Sequence, residues 1–511
     1  MATSGSEYDV VIAGAGPTGL CLAGELALAG VRCKVVERRT HRTQESRALG
    51  LHGRSMEVLR MRGVADPVLE RANSVPKVRV SLGHSMLDLR RLDSRYGQLT
   101  IIPQGETEEI LEKRARDLGV TIDRGVSLVD CEQHGDEVLY RLESDGRQWE
   151  ERTPWLVGCD GSRSRVREAM GAAFEGDVYP YTIIVADVRL GVPMDDQLLI
   201  HVGRAGLVVC TDFGNGWYRM GVIDRSKPWS DDPVTLQEVR DTLAKLFGKD
   251  LRPSEPLWTS RFRIQERQAE TYRKGRMLIA GDAAHVHSPL GGQGLNLGIQ
   301  DAMNLGWKLA AVVSGRGSER LLDTYVEERR RVSQGVIKVT DIATRMMTSD
   351  KSAVRAARLT AASIATRIPA SHLLAVGHLS GIATSYPGMA ADRSSRRTVG
   401  RRVPDLEVHR GAAGGTRLFD AMRSGSFVLV DQGDGGPSTL LNPWGDLVTH
   451  LRGTVRGAKG PWPRTEMILV RPDGYCAWAG PRSRAAAELP AAMRRWAGAP
   501  PVSTSTAAGE R

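Results

Sequence analysis

The sequence is poor in aromatic residues and lysine, and it lacks paired cysteines, a metal-ligand spacing and any long apolar run. The six cysteines Cys21, Cys33, Cys131, Cys159, Cys210 and Cys476 form no CxxC pair and stand at no zinc-like spacing from His. That excludes a disulfide scaffold or a zinc module and leaves them as reduced packing residues, with no metal expected. No stretch approaches the ~18 apolar residues that a bilayer-spanning helix needs. The N-terminal MATSGSEYDVVIAG has no basic segment followed by an apolar one and a cleavage site, so a cytoplasmic location without a membrane partner is expected. Aromatics make up 5% of residues, and the net charge of +10 is carried mainly by dispersed arginines. Without a basic stripe interleaved with aromatics, nucleic acid is not an expected partner.

What is present is an ordinary globular composition, 41% hydrophobic and 25% charged over 511 residues, enough for two to four units at roughly one per 150 residues. Residues 8–13 are rich in Val and Ile, glycines follow, and Leu20, Leu22, Leu26 and Leu28 then repeat with helical spacing. With residues 31–37 as the next strand, this is a βαβ unit of parallel strands. A charged amphipathic helix is expected over 104–118, short strands at 120–122 and 127–129, a hairpin around 144–147 and a buried strand at 155–159. From 182 to 223 the pattern becomes short alternating segments separated by Gly and Asp, which predicts an antiparallel sheet able to turn one face to a ligand. Residues 277–280 return to a buried strand, followed by a glycine-rich loop and a helix over 294–313. A long helix starts near 318, and its stripe from Leu322 to Ile342 is expected to be core. Arg329, Arg330 and Arg331 are expected on a solvated face. Residues 395–404 read as a polar linker, 405–500 as a small α/β unit, and 501–511 as a disordered tail.

The feature richest in chemistry is Gly14-Ala15-Gly16-Pro17-Thr18-Gly19 between strand and helix, with Glu37 closing the second strand. Such a turn brings backbone N–H groups and a helix N-terminus to a pyrophosphate, and the acidic residue about 20 positions on accepts ribose hydroxyls. The string GRMLIAGDAAHVHSPLGGQGLNLGIQDAMNLGWKLA, centred on Asp282, resembles the second FAD motif of the class A flavoprotein aromatic monooxygenases, the para-hydroxybenzoate hydroxylase group. The run from Gly158 to Arg167 with Asp160-Gly161 resembles a further motif of that group, as does Ser46-Arg47-Ala48-Leu49-Gly50-Leu51-His52. The later Leu379-Ser380-Gly381, Gly400-Arg401-Arg402-Val403-Pro404-Asp405 and Leu418-Phe419-Asp420 are similar to its aromatic polyketide hydroxylase branch.

The resemblance implies an α/β fold: a Rossmann-type FAD-binding domain (1–175 and 271–393, the latter with bracing helices), an inserted mainly antiparallel-sheet substrate domain (176–270) and a C-terminal thioredoxin-like domain (394–500). It implies FAD, with NADPH or NADH as transient co-substrate, since there is no second GxGxxG. It assigns the cofactor to Gly14, Gly16, Pro17, Thr18, Gly19, Glu37, Arg38, Arg47, Gln104, Val126, Asp160, Asp282, Pro289, Gly292, Gly294, Leu295 and Asn296. Arg47 and Pro289 are the candidates nearest the chemistry, and no acid or base is assigned. His201, Trp217, Arg219 and Phe262 are substrate candidates, with Trp217 and Arg219 sharing one strand face. His285 and His287 lack a third ligand for a metal.

The implied activity is hydroxylation of a polycyclic aromatic, polyketide or antibiotic-like substrate with dioxygen, through a flavin hydroperoxide. The alternatives are Baeyer–Villiger insertion or epoxidation on a similar scaffold, and a non-catalytic flavin-binding shielding protein. Whether the chain forms a homodimer is left open.

Overall fold

A computed structural model of the chain describes residues 6–42, 48–80, 85–203, 205–227, 229–349, 351–389, 395–411, 414–433 and 439–500. The expected tail at 501–511 lies outside them. The fold is mixed α/β. Strand Val10–Ala13 pairs in parallel with Cys33–Glu37 on one side and Trp155–Gly158 on the other. Thr121–Arg124 and Met277–Ile279 extend this layer outward as further parallel strands. Its four central residues, Val10 to Ala13, are buried on both faces, because helices Pro17–Leu28 and Gly294–Val313 pack on one side and the hairpin strands 127–153 run against the other. Asp282 and the glycine-rich loop leave the end of the Met277–Ile279 strand, which lies one strand, Trp155–Gly158, away from the strand that leads into the glycine turn.

The second large layer has eight strands and is mainly antiparallel. Its long strands are Phe174–Leu190, Leu198–Val202, Gly206–Gly214, Trp217–Asp224 and Pro253–Ala269. It also takes in Lys77–Val80 and Ser85–Asp88, from well before the alternating region that the sequence singles out. Alternation sorts the side chains. Ile184, Val208, Cys210, Tyr218 and Met220 pack under helix Leu236–Phe247, whereas Ile183, Val185, Leu207, Ile223 and Ile264 form a separate cluster on the opposite face.

Helix Arg320–Thr348 crosses from the first layer to the second, and Ser352–Arg367 and Pro369–Leu379 follow it. Two expectations fail on this helix. Val339 and Ile342 are 56% and 58% exposed, because the stripe runs off the core onto an open chamber. Arg329 is fully buried, with Nε 2.6 Å from Asp301 Oδ1 and a guanidinium bond to Tyr386 Oη at 3.1 Å. A partner 28 residues away cancels the charge that the local pattern assigned to solvent.

The C-terminal sheet pairs Phe427–Asp431 in parallel with Val448–Arg452 and antiparallel with Met467–Val470, which pairs with Cys476–Gly480. Helix Arg482–Ala497 covers it. The segment expected as a linker is instead packed: Val403 is buried, and Arg402 Nη1 lies 2.8 Å from Glu57 Oε1 while its backbone bridges Tyr475. Arg471 from this unit binds both oxygens of Glu328 at 2.7 and 2.9 Å. Burial would raise that carboxyl, but Arg471 and Lys308 hold it down to about 2. These buried pairs weld the C-terminal unit to the long helices. No helix among the described residues is long and apolar enough to cross a membrane.

Candidate active site

The strand ends of the first layer and the second face of the large sheet border one cavity of about 2380 Å³. A pocket that buries one drug-sized ligand spans about 300–1,000 Å³, so this volume has room for a dinucleotide and a second guest.

The cradle end is made largely of backbone. Gly14 has φ +104°, and a Cβ there would run into the Cys159 carbonyl. The Ala15 N–H donates to Glu37 Oε2 at 2.8 Å and the Arg39 N–H to Glu37 Oε1 at 3.0 Å, so the carboxylate shapes the turn. Gly16 caps helix Pro17–Leu28, and a Cβ on it would meet nothing within 4 Å. An unfilled space beside free N–H groups at a helix start fits a pyrophosphate.

Thr18 lies where the separated motifs meet. A Cβ on Gly281 would stand 2.6 Å from its Oγ1, which places the Asp282 turn directly against the glycine turn. The Cys159 N–H donates to the Ala13 carbonyl at 2.7 Å and the Ala280 N–H to the Gly158 carbonyl at 2.9 Å, stitching all three motif strands together. Ser164 caps the following short helix, and Asp160 Oδ2 accepts the Arg165 N–H at 2.7 Å, while burial raises the Asp160 pKa.

The Asp282 turn is held from behind by Asp301. Its Oδ2 accepts the Gly281 N–H at 3.1 Å and sits 2.6 Å from His285 Nε2. His285 is therefore a positioning group behind the loop. Asn296 braces the glycine-rich loop from the front: Oδ1 accepts the His52 N–H at 2.8 Å, and Nδ2 donates to the Gly50 and Gly292 carbonyls at 3.0 and 2.9 Å. His52 Nε2 lies 2.8 Å from the Gly291 carbonyl. Burial pulls His52 and His287 down to about 4, so both rings are neutral near pH 7.

The expected cofactor residues Gly14, Gly16, Pro17, Thr18, Glu37, Arg38, Gln104, Val126, Asp160, Asp282, Pro289, Gly292, Gly294, Leu295 and Asn296 all border the cavity. Gly19 packs behind the turn against Gly14. Arg47 lies outside the described residues. Of the substrate candidates, Phe262 and Arg219 border the cavity and His201 and Trp217 do not. His201 stacks on Phe247 at 4.9 Å and Trp217 carries the Arg189 guanidinium at 4.8 Å. Arg219 is committed to Asp187, at 2.7 and 2.6 Å.

The chamber end is apolar, walled by Ile183, Val185, Ile200, Val209 and Ile264 from the sheet and by Val339, Ile342 and Met346 from the long helix. Sequence reasoning missed His52, although it stands within a string singled out for Arg47. It also missed the helical wall, because a stripe facing a chamber has the same periodicity as one facing a core.

Residues 7–340 match the family model described as FAD binding domain, and 396–500 match aromatic-ring hydroxylase, C-terminal. The chain is 37% identical to a 12-dehydrotetracycline 5-monooxygenase/anhydrotetracycline 6-monooxygenase of Streptomyces rimosus subsp. rimosus, over 96% of this chain and 99% of the relative. The solved structure of CabE, an aromatic hydroxylase from angucycline biosynthesis, superposes with a TM-score of 0.86 at 35% identity, covering 97% of this chain and 100% of that one. A dialkyldecalin synthase of Streptomyces rugosporus is 33% identical over 96% of this chain and 98% of its own length.

Proposed function

This chain belongs to the FAD-binding aromatic-ring hydroxylases, and from that premise we propose that it is an FAD-dependent monooxygenase hydroxylating a polycyclic aromatic, polyketide or antibiotic-like substrate with NADPH or NADH and dioxygen. The observation that carries the reading is the continuity of one cavity from the glycine turn and Asp282 to an apolar sheet wall. In domain terms, a Rossmann-type FAD domain (1–175, 271–393) receives an inserted substrate domain (176–270), and a thioredoxin-like unit (394–500) follows. The last has only Cys476, which is buried and so cannot form a redox pair.

When bound, FAD supplies the two-electron chemistry that activates dioxygen. The chain's own residues bind and orient. Gly14, Gly16 and the N-terminus of helix Pro17–Leu28 would receive the pyrophosphate, and Glu37, Arg38, Gln104, Val126 and Asp160, which border the cavity, would hold the remainder of the dinucleotide. Asp282 faces the cradle as a hydrogen-bond acceptor for a cofactor hydroxyl. The loop from Pro289 to Asn296 presents a second helix N-terminus, whose dipole favours an anionic ring. The apolar walls exclude water from the reacting centre. His52 and His287, held neutral, bring no proton to it near pH 7. A phenolic guest needs placement beside the ring more than a base.

The test is to load the protein with FAD, add NADPH or NADH with a panel of polycyclic phenols, and follow pyridine-nucleotide oxidation and 18O2 incorporation. Guest-stimulated oxidation with one labelled oxygen in the product supports the reading; failure to take up FAD contradicts it. Product NMR separates hydroxylation from Baeyer–Villiger insertion or epoxidation. The similarity to a dialkyldecalin synthase favours a second reading, a flavin-binding chamber that shapes a guest without oxygenating it. Guest binding with no pyridine-nucleotide consumption across the panel would support that one.

A further inference from the structure

The cavity's carboxylates are confined to one end, where Arg38, Arg39, Arg163 and Arg165 also border it. The carboxylates that border it, Glu37, Glu108, Glu143, Asp160, Glu168 and Asp282, all belong to the cradle half. The chamber half is bordered by Arg219, Arg261, Arg263, Arg331 and Arg358 and by no Asp or Glu among the described residues. The helical segment over the chamber mouth continues the bias: residues 351–389 contain four Lys and Arg residues and no Asp or Glu.

These arginines are not equivalent. Arg219 is neutralised by Asp187, and Arg261 by Glu238 at 2.7 Å. Arg358 is buried, with Nη1 on the Met346 and Met347 carbonyls at 3.4 and 3.3 Å, so it caps the long helix. Arg263 is exposed, its guanidinium lies 4.4 Å over the half-buried Trp229 ring, and no carboxylate pairs with it among the described residues. It sits on strand Pro253–Ala269, beyond which the sheet has, among the described residues, only the two-residue strand His285–Val286, paired at Arg267 and Gln268. Next to Arg263 no described strand pairs with this edge. The cavity wraps over this edge, taking in the inward Phe262 and Ile264 together with the outward Arg261 and Arg263.

We infer that Arg263 on its Trp229 shelf is a recognition site for an acidic group, phenolate or carboxylate, on a planar guest entering the chamber. A guanidinium resting on an indole keeps its in-plane N–H fork for a carboxylate or phenolate oxygen, and the indole surface continues the apolar wall for the rings. A chamber bordered by one sign of charge also raises the local concentration of an anionic guest and disfavours a cationic one. The inference rests on the proposed reading of the chamber as the seat of a polycyclic guest, and it narrows that guest to acidic polycycles.

The test uses full-length FAD-loaded protein and three probes of one shape: anthraquinone-2-carboxylate, anthraquinone-2-carboxamide and 2-(aminomethyl)anthraquinone, with affinity read by equilibrium dialysis at low salt. The carboxylate is expected to bind about tenfold tighter than the carboxamide, as one charged hydrogen bond gives, with the ammonium probe weakest. Arg263→Gln should erase the carboxylate advantage, and Arg263→Lys should keep part of it; far-UV circular dichroism checks that both fold. Equal affinity for carboxylate and carboxamide, or an advantage that survives Arg263→Gln, overturns the inference while leaving the chamber reading intact. Failure of all three probes to bind overturns both. A raised KM for NADPH in Arg263→Gln with the carboxylate advantage unchanged would assign the arginine to the nicotinamide cofactor's phosphates and also overturn the inference.

Discussion

The two ends of the cavity are built by opposite rules. At the cradle end the contacts are backbone N–H groups, a helix start and carboxylates, set by three short turns that meet around Gly14, Thr18 and Cys159. At the chamber end they are side chains from sheet strands and from the helices facing them, and the backbone of the inner strands is spent on its own hydrogen bonds. A backbone-built site tolerates few residue types, because each turn needs a particular glycine or acidic group. A side-chain-built site is satisfied by any apolar set that fills the wall, so its specificity can change while the cradle stays fixed.

The sharpest way to break this division is to place a side chain in the cradle without disturbing the fold. Gly16 has φ −76° and ψ 177°, open to any residue, and a Cβ on it would meet no atom within 4 Å. Gly16→Val is expected to lower the thermal midpoint of the FAD-free protein by no more than a few degrees, the ~1 kcal/mol that valine costs at a helix N-cap. Its FAD affinity should fall on the order of 1,000-fold, about 4 kcal/mol, through loss of several charge-assisted contacts. An unchanged flavin titration would mean that this turn does not hold the dinucleotide.

Acid sharpens the comparison at the seam between the halves. His52 and His287 are held near 4, below the ordinary 6.5 of an unfolded ring. The unfolded chain thus takes up protons first: stability is whole above pH 6.5 and falls as pH drops toward 4. The size is roughly 3 kcal/mol per ring, measurable by urea unfolding of the FAD-free protein at pH 7 and pH 4.5. His52→Gln should remove one ring's share of that loss.

The smallest expected effect lies in the chamber. A Cβ on Gly221 would make ordinary contact with Ile183 at 3.5 Å and Val209 at 3.9 Å. Gly221→Ala therefore narrows the chamber without a clash. KM for a bulky guest is expected to rise about tenfold while FAD affinity stays the same. A parallel loss of FAD would show that the two ends are not separable.

The same contrast explains what the sequence discloses. The cradle was legible because a turn that brings backbone to a pyrophosphate demands Gly14, Gly16 and Gly19 in order, and the residues around Asp282 obey a similar constraint. The chamber was legible only as an alternating region. His201 and Trp217 fit the pattern and still lie elsewhere, because His201 takes the other face of its strand and Trp217 stands at the end of its own. Lys77–Val80 and Ser85–Asp88 join the same sheet from far upstream, which no local pattern reveals. Arg329 reads as a solvent-facing charge and Arg402 as part of a polar linker, yet both are buried, against Asp301 and Glu57, since an ion pair between distant segments leaves no trace in either.

The central claim is that one continuous cavity seats a flavin and a planar guest side by side. The most direct measurement is the visible flavin absorption band of the FAD-loaded protein during titration with anthraquinone-2-carboxylate, alongside equilibrium dialysis of the same samples. The account predicts a saturable spectral shift whose midpoint matches the dialysis affinity. A guest that saturates by dialysis while the flavin band stays unmoved would contradict it.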